Sequence, residues 1–266
     1  MRTKHLLTSI TMILIALFFF NCSHENNNEV TKPEERGLTF INPYGYIGEG
    51  HNKICNEYLK AYDKVDYNVI AKMSKEYLIS TGHYSNSQQD NSDFLINGTK
   101  MLNIFTKSDL MKITDENWID SLLTAYVNQG AITGERKDKT LRLIDVILNA
   151  GGDTNAVNEY CFNLSLTVDD TTKVQTFMTA AVYNASYRLW IGENLGKRGN
   201  ISKTQLSLLA ADAIGAAIGG LIYVAAHTST ETNTWSWEDF GWQVLGGGIT
   251  LSTGGALKIG GTAILG

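Results

Sequence analysis

His51 and Cys55 stand four residues apart, the spacing that places two side chains on one face of a helix. An imidazole and a thiol so placed can share a metal ion. A metal centre needs further ligands, and the other histidines of the chain are scattered, so no metal and no cofactor are expected. Asn52 adjoins His51, and Asp212 is the single charged residue between 206 and 226. His51, Asn52 and Asp212 are therefore the candidate ligand site, and their meeting in a pocket would make an enzyme of unrecognised type. Gly45, Gly48 and Gly50 lead into a helix start, where free N–H groups can hold an anion, but Glu49 among them opposes one. The favoured reading of that segment is that His51 and Asn52 tie an incoming loop to a helical body through hydrogen bonds. Gly192–Lys197 reads GENLGK, a phosphate-loop fragment of the wrong spacing and with no strand before it. HExxH, GxSxG, the P-loop and CxxC are all missing. No catalytic residue is assigned, and the reading leans away from an enzyme.

The elements that would position these residues begin after an address. Arg2 and Lys4 precede an uncharged, largely apolar run from Leu6 to Phe20, and Cys22 follows at once. That run is short for a membrane span and suits a secretory signal. Residues 1–21 are expected to be a lipoprotein signal peptide, with Cys22 carrying diacylglycerol and an acylated amine. Phe19-Phe20-Asn21 departs from the usual Leu, small, Gly/Ala box. Several acyl chains on one residue would anchor the chain stably in a membrane. Residues 22–37 are polar and read as a disordered tether. The expected location is the cell envelope, lipid-anchored at the outer membrane, with the cell surface within reach.

Removing Arg2 and Lys4 with the signal leaves 20 basic residues against 27 acidic ones, a formal charge of −7. No basic run remains, so a nucleic-acid partner is not expected. Cys55 and Cys161 are left for an oxidising compartment, where they either pair as a disulfide or stay buried as small hydrophobes.

Pro33 and Pro43 are the only prolines, so nothing after residue 43 breaks a helix. Apolar spacing predicts an all-α fold, a helical bundle, as one domain over 38–266. Helices are expected from about Tyr46, over 65–80 with Val69, Met73, Tyr77 and Leu78 along one face, and after Asp115 with Trp118, Leu122, Ala125 and Tyr126 inward. Further helices cover 135–149, Asp153 to about Leu166, and a long one capped by Asp169 or Asp170. Residues 82–93 read as a polar loop and 94–111 as one or two short helices.

Seven of the seventeen residues from 245 to 261 are glycine. A flexible tail would be polar, and this stretch carries Leu245, Ile249, Leu251, Leu257 and Ile259. A β-hairpin turning at Gly254-Gly255 is one reading. The favoured one is a helix with Gly248, Ser252, Ala256 and Gly260 in a row, matching Gly215 and Gly219 in the helix before it. Such rows let two backbones approach closely. The expectation is a Gly/Ala-rich pair within 202–266, with antiparallel helices at about 202–227 and 237–264.

Asn42-Pro43-Tyr44, Gly48, His51-Asn52, the Ser186/Trp190 pair and Asp212 resemble an uncharacterised group of Bacteroidetes-type secreted and lipoprotein sequences. The resemblance touches about a third of the chain, and Gly45 stands where an acid is common. It implies an extracytoplasmic helical protein and no established activity. The expected function is a membrane-anchored, non-enzymatic interaction module, with its protein or small-molecule partner open. The alternative is a membrane-active protein, bacteriocin-like or pore-forming, that inserts its glycine-rich hairpin.

Overall fold

Helix caps written into the sequence start most of the elements. The computed structural model describes residues 41–85, 116–192, 201–228 and 235–258, all inside one unit, Phe40–Gly266. Among them are helices α1 (Gly45–Ala61), α2 (Tyr67–Ser80), α3 (Glu116–Asn128), α4 (Gly134–Asn149), α5 (Thr154–Ser165), α6 (Asp170–Trp190), α7 (Lys203–Thr228) and α8 (Trp237–Lys258), and no strand. Side-chain oxygens of Asp66, Thr133, Asp153 and Asp169 accept from the first free N–H groups of α2, α4, α5 and α6. At α7 the capping is reciprocal: the Gln205 N–H donates to Ser202 Oγ at 3.2 Å and the Ser202 N–H to Gln205 Oε1 at 3.0 Å. At α8 the Asp239 N–H donates to Ser236 Oγ, while the Asp239 carboxylate turns outward and accepts from Tyr84.

The protein is an all-helical bundle built around the α7–α8 hairpin. Residues 208–225 of α7 are buried without a break. α6 packs against α7, α1 lies across α6 and α8, α2 covers α8, and α3, α4 and α5 continue the wall, with α5 against α6. The β-hairpin reading of 245–261 is overturned, because the helix runs unbroken to Lys258. The antiparallel helical pair is formed, at 203–228 and 237–258.

Two faces differ from the periodicity reading by about one residue. α2 buries Tyr67, Ile70, Ala71, Ser74 and Leu78, with Val69, Met73 and Tyr77 on the flank. α3 buries Ile119 and Leu123, with Trp118 and Leu122 beside them and Ala125 exposed. A helix at the edge of a bundle presents a wide apolar stripe, and the stripe alone does not fix its centre. Cys55 and Cys161 are free thiols, each buried on its own helix, so the disulfide held open from the sequence is not formed. Cys22, the signal and tether, Asp115, the segment 94–111, most of the 82–93 loop and residues 259–264 lie outside the described residues.

Candidate functional site

Two asparagines and one glycine fix α1 to α6. Asn42 Nδ2 donates to the Phe177 carbonyl at 2.6 Å, and Asn52 Nδ2 donates to the Ala185 carbonyl at 2.7 Å. Between them Gly48 lies against the Ala181 carbonyl and the Ala185 methyl, so that any Cβ there would collide with backbone. Gly50 leaves room for the Tyr77 ring. Of the glycines of the YGYIGEGHN stretch, Gly48 and Gly50 lie inside α1 and serve close packing, while Gly45 is the exposed first residue of α1 with nothing within 4 Å of a would-be Cβ. The anion-binding idea that Glu49 opposed finds no glycine loop there, since Gly48 and Gly50 are within the helix.

This clamp points His51 at the hairpin. His51 Nδ1 lies 3.1 Å from Asn52 Oδ1 and 3.5 Å from Ser186 Oγ. Its Nε2 lies 3.4 Å from Asp212 Oδ2 and 3.6 Å from Cys55 Sγ. Trp190 Nε1 donates to the same Asp212 oxygen at 2.6 Å. Cys55 Sγ donates to Ser252 Oγ at 3.4 Å. Gly248 makes room for the imidazole edge, since a Cβ there would come within 3.2 Å of His51 Cδ2. The three candidate ligand residues thus meet, with α1, α6, α7 and α8 all contributing side chains. His51, Cys55, Ser186, Asp212 and Ser252 are fully buried.

The hydrogen-bond geometry assigns the tautomer. Asn52 spends its NH2 group on α6, so its Oδ1 faces His51, and Nδ1 must carry the proton it donates. Nε2 then faces the carboxyl group, and one shared proton joins the pair. Burial raises Asp212 above the usual carboxylate range, while His51, the Trp190 N–H and the hydroxyls of Ser186 and Ser252 pull it back down. Its other oxygen, Oδ1, has no hydrogen-bond partner among the described residues. Burial also drives the Cys55 thiol well above its ordinary value, and Asp212 adds to that, so the sulfur is held as an unreactive S–H.

Ser186, His51 and Asp212 follow one another as in a Ser–His–Asp relay. The tautomer defeats that chemistry, because the nitrogen facing Ser186 is already protonated toward Asn52. Burial opposes it too, since His51, Ser186 and Asp212 have no exposed surface. Cavities of about 430 and 340 Å3 lie on the surface, one beside Thr133 and Arg136, the other beside Asn117 and Leu141. Neither is lined by a residue of the cluster. Among the described residues no group of three or more His, Cys, Asp or Glu is arranged to hold a metal ion.

Gly192, the first residue of the GENLGK fragment, has φ +78° and ends α6, with its N–H donating to the Tyr187 carbonyl. The rest of that fragment lies outside the described residues. Sequence reasoning missed Ser252 as a member of the cluster. Its place in the small-residue row was read as a contact with α7, yet it bonds Cys55 of α1. Comparison of the chain with protein-family models, with curated proteins and with solved structures found no match.

Proposed function

We propose that this chain is a lipid-anchored bacterial envelope protein whose helical body is a non-enzymatic interaction module. The observation that carries the reading is the sealing of its ionisable cluster: His51 and Asp212 have no exposed surface, and neither described cavity reaches them. A catalytic pair must touch a substrate, whereas a buried pair with fixed partners locks helices in register. The apolar helix Lys203–Ala225 is wrapped by its neighbours, as the central helix of a folded body is. The anchor itself rests on the sequence from Arg2 to Cys22, and the outer membrane is its proposed site.

Metabolic labelling with an alkynyl palmitate tests the anchor. The wild-type chain should take up label and fractionate with membranes, and Cys22→Ser should do neither. Unlabelled wild-type chain would remove the anchor from the reading. Turnover that fails with His51→Ala while the fold is retained would remove its non-enzymatic part.

A further inference from the structure

The α7–α8 hairpin shares one apolar core with its neighbours, and two further kinds of contact are added to that packing. Inside the hairpin, backbone lies on backbone: Gly215 against the Gly247 carbonyl, Gly219 against the Gln243 carbonyl, and Gly247 against the Gly215 carbonyl. Such van der Waals contacts hold helices together in lipid as they do in water. Toward α1 and α6 the hairpin makes discrete polar ties. Asp212 meets His51 and Trp190, Ser252 meets Cys55, and the Ala217 carbonyl accepts from Gln175 Nε2 at 2.8 Å. A buried ionisable pair adds little net stability over apolar packing, but breaking it is costly.

α7 also has the dimensions of a membrane span. Lys203–Ala225 is 23 residues long and contains an 18-residue window with a mean hydropathy of 1.9. At 1.5 Å per residue it reaches about 35 Å, enough for a hydrocarbon core. Lys203 and Lys258 bound the open end of the hairpin. Trp235 and Trp237 stand at the other end, packed edge to face, with Trp237 45 % exposed. Aromatic residues and lysines are the groups that settle at the two faces of a bilayer.

We propose that α7–α8 is a membrane-inserting hairpin and that the Asp212 cluster is the latch that keeps it inside the bundle. Its partner is a lipid bilayer. The hairpin moves as a unit, keeping its internal glycine contacts and giving up its ties to α1 and α6, the Trp242 bond to the Ala71 carbonyl of α2 and the Tyr84 bond to Asp239. The proposal does not depend on acylation at Cys22, so it stands or falls apart from the anchor.

The test uses residues 40–266, which contain every contact described above, with vesicles of phosphatidylethanolamine and phosphatidylglycerol. Quenching of tryptophan fluorescence by brominated lipid reads insertion. Asp212→Ala removes the latch and the one charge within 206–226, and should insert at least roughly ten-fold faster than wild type. Trp190→Phe removes a single donor and keeps the ring, so it should fall between the two and carries the test if Asp212→Ala does not fold. Ile147→Ala opens a cavity in α4 away from the cluster and should insert no faster than wild type. Insertion of Ile147→Ala at the rate of Asp212→Ala would mean that general unfolding is responsible and would overturn the latch. Quenching of none of the proteins would overturn the hairpin's insertion altogether.

Discussion

A carboxyl group without exposed surface must be neutral or closely paired, and Asp212 is held between those conditions. Burial raises its pKa, so the folded state holds the proton more tightly than the unfolded chain. The stabilisation this represents is complete below the ordinary value of 3.8 and is lost as pH rises through the raised folded value. Asp212→Asn keeps the shape and never ionises. It should therefore gain melting temperature relative to wild type as pH rises above the ordinary carboxylate value of 3.8. A difference of the opposite sign would mean that the ionised carboxylate is the better fit to its site. Asp212→Ala leaves His51 Nε2 and the Trp190 N–H without their partner, and should lose about 3–5 kcal/mol in urea unfolding. A loss under about 1 kcal/mol would make the cluster incidental to the bundle.

The helices show what glycine does when two backbones meet. A Cβ on Gly219 or Gly247 would run into a main-chain carbonyl of the facing helix, which cannot turn aside as a side chain can. Gly219→Ala and Gly247→Ala should each cost about 1–3 kcal/mol or more, read from the urea midpoint. Gly134 opens α4 with nothing within 4 Å of its would-be Cβ, so Gly134→Ala should add about 0.5–1 kcal/mol. Equal responses at all three positions would mean that the hairpin is not closely packed. The same elements mark a limit of periodicity. A row of small residues was legible in α8, but the row that meets α7 runs through Gln243, Gly247, Leu251 and Gly255. Gly248 of the legible row also meets α7, at the Asp212 carbonyl, and lies equally close to the His51 ring, while Ser252 bonds Cys55 of α1. Spacing of four announces a close contact and is silent on which neighbour makes it.

For the molecule as a whole, class and element order were legible because caps and apolar periods are local signals, and Asp169, Ser202 and Ser236 sit where their helices begin. The convergence of His51, Asn52 and Asp212 was open to suspicion only because two of them adjoin and the third is a lone charge in an apolar helix. That they are sealed depends on how four helices close over them, which no local spacing encodes. The same closure decides the fate of the thiols. Cys55 sits at the centre, between α1 and the hairpin, and Cys161 sits on α5, which packs on α6. Burial raises both, Cys161 to about 12. Neither should react with an aromatic disulfide reagent while the bundle is closed, and both should react fully in denaturant. Partial openings start at the wall of a bundle and reach its centre last. Slow labelling under native conditions, followed by mass spectrometry, should therefore modify Cys161 before Cys55. Labelling of Cys55 first would place the weakest joint at the hairpin, and the absence of labelling in denaturant would mean that the two thiols are bonded to each other.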